Sequence, residues 1–400
     1  MDDTQNVSNV LLVLMCLDRN DPNPLRLRSG KLDRDGAYHL LAGVLDPAHR
    51  AASAPVTGIE LDRDMRKIYN QVLEDFQEIS AKFYGEDGFI QKPESYTHER
   101  QAEVLEAVSS VGQLIYELFP TGNPVRGWLE KLLRSKDVRP IQPVTIITND
   151  FNIPWFWLKG PRLGPLLCEV CSLGMLQLLA AGDAEGHRAP PGREDRKYEA
   201  LLVNESATLP FVDEELGEIT AMLQDADRRA ARDFKVHLAN TRHDITNLCE
   251  NSREDHLLSS FRIVHFTGNY SAETLQLYTL RPILNSSLLV LGGCSSAREP
   301  KGWTDLEGLA SNLMSRGALG CVMTVLPVKH DPISNKVLWG AFYRELRRSS
   351  STVGQALAKA RVELRDHFKA IGSPNPMYAA YQLIGSPAVQ LCHEGNEKDG

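Results

Sequence analysis

The hydrophobic and polar positions of the first 60 residues follow the short period of β-strands. An unbroken apolar run, Val10–Leu17, predicts a buried strand. The alternating segment Leu25–Arg28 and the mostly apolar segment Tyr38–Leu45 flank the turn-forming residues Asp33–Gly36. This arrangement predicts a β-hairpin near the start of the chain.

From about residue 62 the apolar positions recur at every third and fourth residue, which is the period of an amphipathic helix. Three helices are predicted in this region, at about Asp62–Ile79, Glu99–Leu118 and Val125–Leu133. The segment Phe119–Gly122 contains Pro and Gly and ends the second of them. A helical region is therefore expected to follow the hairpin.

Beyond residue 142, short apolar runs alternate with helical patterns. The runs predict strands at Pro143–Thr148, Leu201–Val203, Val236–Leu238, Phe261–Phe266, Ser287–Leu291 and Gly320–Leu326. Helices are predicted at Asp213–Leu223, Leu306–Arg316, Ile333–Arg347 and Val353–Phe368. Such alternation favours an α/β fold with a mostly parallel sheet covered by helices on both faces. The chain divides into residues 1–142, with the hairpin and helices, and two α/β segments, 143–250 and 251–400.

The composition is that of an ordinary globular protein. The 400 residues are 42% hydrophobic and 24% charged, a balance that excludes wholesale disorder. The formal charge of −8 argues against nucleic-acid binding, because such binding requires a basic surface. No apolar run reaches the roughly 18 residues of a membrane span. Asp2 and Asp3 precede Val10–Leu17 where a signal peptide carries basic residues, so no membrane contact is predicted.

Seven cysteines are scattered along the chain, an odd number, and most have apolar neighbours. This usage favours reduced thiols and predicts a cytoplasmic or nuclear protein. Cys168 and Cys171 have the spacing of a zinc-binding pair, but no second pair follows them. The sequence therefore predicts neither a metal site nor a cofactor.

Candidate chemistry lies at two strand ends, because functional groups of a parallel sheet collect beyond the carboxyl ends of its strands. The strand that ends in His265 and Phe266 continues as Thr-Gly-Asn-Tyr, and the strand that ends at Leu291 continues as Gly-Gly-Cys-Ser-Ser. The glycines permit a tight turn that exposes the sulfur of Cys294. Backbone N–H groups around Gly293 would then face a developing oxyanion, and a neighbouring base would be needed to form the thiolate.

These two segments resemble those of the CHAT peptidases and their relative separase, which belong to the caspase-like clan. Further segments resemble the same family in the same order, namely Gly112–Pro120, Ile146–Leu158, Lys301–Ala310, Ala318–Asp331 and Met377–Leu391. In the last of these, a Gly-Ser-Pro turn is expected to precede the final strand. The resemblance covers the chain from about Leu25 to Leu391.

The resemblance implies a caspase-like fold, in which residues 143–250 form a pseudo-caspase half and residues 251–400 form a peptidase-like half. It implies a regulated cysteine endopeptidase whose nucleophile is Cys294. The backbone N–H groups near Gly268 and Gly293 would hold the oxyanion of the scissile carbonyl.

Acidic side chains at the cleft of the resembling peptidases receive a basic side chain of the substrate. The matching residues in this chain are Asp305, Glu307 and Asp331. From the residues alone, Asp305 and Glu307 are equally well explained as helix caps, and Asp331 as a solvated side chain.

The chain departs from the family at the general base. The family has the His of a Gly-His-Gly turn at the position of Asn269, and an amide cannot accept a proton from a thiol near neutral pH. His265 shares the strand face of Asn269 but lies about 13 Å earlier at the usual rise. Its position matches the first His of the His-Phe-x-Gly segment of the family, which resembles a structural position rather than a catalytic one.

Three interpretations remain open. The first is a peptidase-fold protein with an impaired or lost dyad that acts through regulated peptide or protein binding in a complex. The second is an active cysteine endopeptidase with Cys294 as nucleophile and an unusual base such as His265. The third is a structural module of a larger assembly. Each implies a protein partner or regulatory subunit, and the second also implies a peptide or protein substrate.

Overall fold

The largest feature of the computed structural model is a sheet of eleven strands. The structure describes residues 9–21, 31–47, 53–81, 97–134, 143–150, 152–160, 164–177, 198–204, 211–224, 234–240, 261–267, 287–292, 318–326, 331–348 and 350–391. The strands are β1 (Val10–Asp18), β2 (Tyr38–Leu45), β3 (Ala54–Glu60), β4 (Pro143–Thr148), β5 (Ser172–Gln177), β6 (Glu199–Asn204), β7 (Lys235–Ala239), β8 (Ile263–Thr267), β9 (Leu288–Leu291), β10 (Gly320–Thr324) and β11 (Tyr381–Gly385). Their order across the sheet is β3-β2-β1-β4-β5-β11-β10-β9-β8-β6-β7.

Helices flank this sheet. They are α1 (Arg63–Ala81), α2 (His98–Glu117), α3 (Pro124–Arg134), α4 (Leu167–Val170), α5 (Val212–Gln224), α6 (Pro332–Leu346) and α7 (Val353–Ala370). Two short 3-10 turns are present at Trp155–Trp157 and Pro376–Ala379. Helix α6 packs against both α5 and α7.

The strand directions divide the sheet into two parallel parts. Seven of the ten neighbouring pairs are parallel. The antiparallel pairs are β1–β2, β2–β3 and β10–β11. Since β10–β11 lies inside the sheet, β1, β4, β5 and β11 run opposite to β10, β9, β8, β6 and β7. The carboxyl ends of the parallel strands therefore collect at two opposite edges.

The predicted fold class is confirmed as an α/β fold with a large, mostly parallel sheet flanked by helices. Strands β8, β9 and β10 are buried at every position, and a strand covered on both faces reads as a continuous apolar run. The three predicted N-terminal helices occur as α1, α2 and α3, and α5, α6 and α7 also lie near their expected bounds. The predicted helix Leu306–Arg316 lies outside the described residues.

The N-terminal antiparallel unit forms, but its strand pairing differs from the predicted hairpin. Strand β2 pairs with β1 on one side, where Leu40 lies opposite Cys16, and with β3 on the other, where Leu40 lies opposite Ile59. The predicted partner, Leu25–Arg28, lies outside the described residues. The physical reason is length and apolarity, because the nine residues of β1 bury far more surface against β2 than an alternating tetrapeptide would.

The final strand also differs from the expectation. Strand β11 ends at Gly385, the first residue of the Gly-Ser-Pro segment, and no strand follows it among residues 386–391. Gly385 has a φ of 133°, which favours glycine, and Pro387 lacks the N–H that a continued ladder would need. Strand β5 was not predicted, because Ser172 and Gly174 interrupt its apolar pattern.

Strands from all three predicted segments pair within this sheet. Strand β1 pairs with β4, and β11 pairs with β5. The segment boundaries at residues 142 and 250 stay predictions. None of the described helices is both long and apolar enough to cross a membrane.

Candidate functional site

The carboxyl ends of β6, β8, β9 and β10 meet at one edge of the sheet because these strands are parallel. Strand β11 begins at the same edge, with Tyr381 opposite Thr324 of β10. Helices α5 and α6 start there too, since each follows a strand that ends at this edge. This edge is where the sequence predicts functional groups.

His265 occupies a buried position on β8 near this edge. Its side chain has no exposed surface, and its ring lies edge-on to Trp339 of α6, with centroids 5.0 Å apart and planes at 83°. Nδ1 lies 2.6 Å from the Tyr343 hydroxyl. Nε2 has no hydrogen-bond partner within the described part of the chain, although it lies 3.7 Å from Oε1 of Glu215. One nitrogen of the ring is thus engaged, while the other faces a carboxylate beyond hydrogen-bonding distance.

The tautomer of His265 decides the direction of this hydrogen bond, because a protonated tyrosine hydroxyl can both donate and accept. We assign a proton to Nε2, because a lone pair on that nitrogen would face the Glu215 carboxylate. In the neutral form of that tautomer, the Tyr343 hydroxyl donates to Nδ1. Complete burial and the negative charge of Glu215 raise the pKa of the Tyr343 phenol well above 10, so the hydroxyl keeps its proton.

Glu215 brings α5 into contact with two other elements. Its carboxylate accepts hydrogen bonds from Thr267 Oγ1 at 3.2 Å and from Asn335 Nδ2 at 2.7 Å. The residue is 6% exposed, so this is a buried carboxylate held by donors from β8 and α6. A signal in the sequence could have identified Glu215, because it shares the apolar stripe of α5 with Val212, Leu216 and Ile219.

Gly292 is the last described residue after β9, two positions before Cys294. Its N–H donates to Phe266 O at 2.8 Å, and its carbonyl accepts from the Tyr381 hydroxyl at 3.2 Å. A Cβ added at Gly292 would lie 2.7 Å from Nε2 of His265, so the backbone lies directly against the imidazole. Only glycine permits that approach.

Asp331 caps α6 at the same edge. Its side chain accepts hydrogen bonds from the backbone N–H of Ser334 at 3.1 Å and from the Ser334 hydroxyl. The Ser334 hydroxyl oxygen in turn accepts from Asn375 Nδ2 at 2.7 Å. The carboxylate thus stabilises the first turn of α6, and its role toward a basic substrate side chain stays a prediction.

Most of the predicted site lies outside the described residues. These positions are Gly268, Asn269, Gly293, Cys294, Asp305 and Glu307. Of the predicted site residues, the structure describes His265 and Asp331. The sequence patterns predict neither the contacts of His265 with Glu215, Trp339 and Tyr343 nor that of Glu215 with Asn335. These side chains come from helices, and only the strand order and helix packing bring them to β8.

The zinc-like cysteine pair lies in the core of the other part of the sheet. Burial raises the pKa of the Cys168 thiol to about 12, although the Arg361 guanidinium nearby opposes the shift. Burial also raises the pKa of Cys171. Raised pKa values oppose the thiolate that zinc requires. No cluster of metal-ligating side chains occurs among the residues that the structure describes.

Neither a family model nor a curated protein matches this sequence. One solved structure with a similar arrangement is that of the Arg-specific cysteine proteinase gingipain R. The match has a TM-score of 0.41 and 10% sequence identity, and it covers 81% of this chain and 76% of that chain. At these values the similarity identifies neither a family nor a site.

Proposed function

We propose that this chain is a caspase-like protein of the CHAT and separase kind that acts through regulated binding of a peptide or protein in a complex. Its dyad is impaired, because Asn269 stands at the position of the general base. The binding cleft lies at the carboxyl edge of β8, β9 and β10, and a protein partner or regulatory subunit controls access to it.

The observation that carries this proposal is the register between β8 and β9. In each of the four paired positions, from Ile263 opposite Leu288 to Phe266 opposite Leu291, the partner number is 25 higher. Cys294 also follows Asn269 by 25 positions. Asn269 and Cys294 therefore each follow the last described pair, Phe266 opposite Leu291, by three positions in the sequence. This supports Asn269 as the residue at the base position and, with it, a site that binds better than it cleaves.

The surroundings of His265 also support an impaired dyad. A general base must reach the proton it accepts within about 2.6–3.2 Å or through one water. His265 is fully buried, and its Nδ1 is already bound to Tyr343. Its partner in the register is Val290, four positions before Cys294.

One observation favours the alternative function, an active cysteine endopeptidase in which His265 serves as the base. Among the described residues Nε2 of His265 has no hydrogen-bond partner, and it lies against Gly292, two positions before Cys294 in the sequence. In this alternative, Nε2 is the nitrogen that would accept the proton of the Cys294 thiol. A deprotonated Nε2 would require the opposite tautomer from the one assigned above.

The test is the pH dependence of alkylation by iodoacetamide, compared between the wild type, Cys294→Ala and Asn269→His. Our proposal predicts that Cys294 titrates like an ordinary thiol, near a pKa of about 8.5, and that Asn269→His moves this midpoint downward. The Cys294→Ala variant identifies which part of the signal belongs to that thiol.

A second measurement tests binding directly. A fluorescent library of peptides with basic residues is expected to bind the wild type and Cys294→Ala with equal affinity. A Cys294-dependent alkylation step well below the ordinary thiol pKa would overturn the impaired dyad and support the endopeptidase. Failure of both proteins to bind any peptide would overturn the binding function and leave the structural module.

A further inference from the structure

Glu215 is a buried carboxylate that lies close to side chains of β8 and α6. It accepts hydrogen bonds from Thr267 of β8 and Asn335 of α6, and it lies 3.7 Å from Nε2 of His265. Burying a carboxylate costs free energy unless hydrogen bonds or a neighbouring group stabilise its charge. Each of its oxygens accepts one of these hydrogen bonds, and Oε1 also faces the imidazole of His265.

The imidazole of His265 is held on its other sides. Tyr343 binds Nδ1 at 2.6 Å, and the Trp339 ring lies against the imidazole. Rotation of the ring would exchange the two nitrogens and bring Nδ1 toward Glu215. The hydrogen bond to Tyr343 opposes this rotation from one side, and the attraction between Nε2–H and the carboxylate opposes it from the other.

The backbone of Gly292 rests against this fixed ring. A Cβ at Gly292 would lie 2.7 Å from Nε2, while the Gly292 carbonyl is bound by Tyr381 and its N–H by Phe266 O. The ring therefore limits where the backbone can lie at the point where the chain leaves β9.

We propose that Glu215 is a positioning residue of the candidate site, since its carboxylate holds the His265 ring against Gly292 and so sets the course of the backbone as it leaves β9. This role rests on the proposed function in one respect, because the chain that leaves β9 is the one that carries Cys294. Glu215 acts through His265 and touches no substrate in this role.

The test compares Glu215→Gln with Glu218→Gln in the full chain. The first variant keeps the size of the side chain and its capacity to accept from Thr267, but it removes the charge that faces Nε2. The second removes a carboxylate from the same helix, where it pairs with Lys336 on the surface at 2.5 Å. Long-range ¹H–¹⁵N spectra report the protonation of each ring nitrogen, and His265→Asn identifies the signals of His265.

We expect the wild-type His265 signals to show a protonated Nε2 and an unprotonated Nδ1. Glu215→Gln should shift the Nε2 signal or mix the two tautomers, and Glu218→Gln should leave both nitrogens unchanged. In parallel, Glu215→Gln should change the alkylation rate of Cys294 by about threefold, the scale of coupling between residues linked through a shared backbone shift. Unchanged His265 signals in Glu215→Gln would overturn the positioning role.

If Glu215→Gln does not fold, Thr267→Val removes one of the donors that hold the carboxylate, and unchanged His265 signals in that variant overturn the role equally. If Cys294 resists alkylation in every variant, the proposed function is in question, but the ring signals of His265 still decide whether Glu215 positions the imidazole.

Discussion

The carboxyl ends of β4 and β8 both carry buried polar residues, but the two clusters differ in how completely their groups are paired. At the end of β4, the Asn149 amide accepts from Cys16 N at 2.9 Å and donates to Cys16 O at 2.8 Å. Trp155 Nε1 lies 3.1 Å from both Thr148 Oγ1 and Asp150 O. These side chains leave no buried nitrogen or oxygen without a partner in the described structure.

At the end of β8, Nε2 of His265 is buried without a hydrogen bond to any described residue, and it faces the carboxylate of Glu215. A buried polar atom without a partner requires an explanation, whereas a satisfied cluster is explained by the fold alone. The backbone pairing of β4 with β1 ends at Thr148, opposite Leu14. The Asn149 side chain then binds the backbone of Cys16, the next position of β1 on that side, so its role is structural. Polar residues at a strand end therefore suggest function only when their hydrogen bonding is incomplete.

The largest effect should come from breaking the satisfied cluster with Asn149→Ala. The change leaves the buried N–H and C=O of Cys16 without the amide that now pairs with both. We expect the free energy of unfolding to fall by about 2–4 kcal/mol, measured by urea denaturation. Alkylation of Cys294 should stay as in the wild type, because the two clusters lie at opposite edges of the sheet.

Ser110→Ala is the control for this variant, since the Ser110 hydroxyl donates to Glu106 O on an exposed helix face. Its effect should stay within about 0.5 kcal/mol. A loss for Asn149→Ala no larger than that of Ser110→Ala would show that the β4 cluster is not a structural unit, and the comparison would fail.

The next effect concerns the close approach at the end of β8. Gly292→Ala introduces a Cβ at 2.7 Å from a ring that Tyr343 and Trp339 hold in place. We expect a loss of about 2 kcal/mol, the scale of overpacking in a core. Gly217→Ala in α5 is the matched control, because a Cβ there meets no atom within 4 Å and should stabilise the helix by about 0.5–1 kcal/mol. Equal changes in the free energy of unfolding in both variants would show that the imidazole moves aside at little cost.

The pH dependence of stability should be the same for buried thiols in the two parts of the sheet. Burial raises the pKa of Cys168 beside β5 and of Cys321 in β10, each from 9.0 to about 12. Above pH 9 the unfolded chain loses these protons and the folded chain keeps them, so stability falls as pH rises. From pH 8 to pH 10 we expect the free energy of unfolding to fall by about 1.4 kcal/mol for each thiol.

Cys168→Ala and Cys321→Ala should each reduce this loss by the same amount when unfolding is measured at both pH values. Any difference in their absolute stability at pH 8 reports the packing of each site rather than its titration. A pH dependence that only one variant reduces would show that the two parts of the sheet differ in more than their polar clusters.

How far the sequence predicts each region follows from the range of the interactions involved. Strand β8 and helix α6 were predictable because a run such as Ile263–Thr267 and a helical period are local patterns. The pairing of β2 with β1 was not predictable, since a hydrophobic pattern shows that a segment is a strand but not which segment lies beside it. His265 was identifiable as a strand-end residue, but Glu215 and Tyr343 reach it across 50 and 78 positions of sequence, and no local pattern records such contacts.

The smallest effect should sharpen the comparison at the hydrogen bond between Tyr343 and His265. Tyr343→Phe removes the only hydrogen bond of the imidazole in the described structure, and it should cost about 1 kcal/mol. Tyr116→Phe, which removes a bond of 2.8 Å to the partly exposed Glu130, should cost less because water can replace the hydroxyl. In Tyr343→Phe the His265 ring is no longer fixed at Nδ1, so its nitrogens should exchange and its NMR signals should broaden. A sharp, unchanged His265 spectrum would mean that packing against Trp339 alone holds the ring. The β8 cluster would then be rigid through packing, whereas the β4 cluster is rigid through hydrogen bonds.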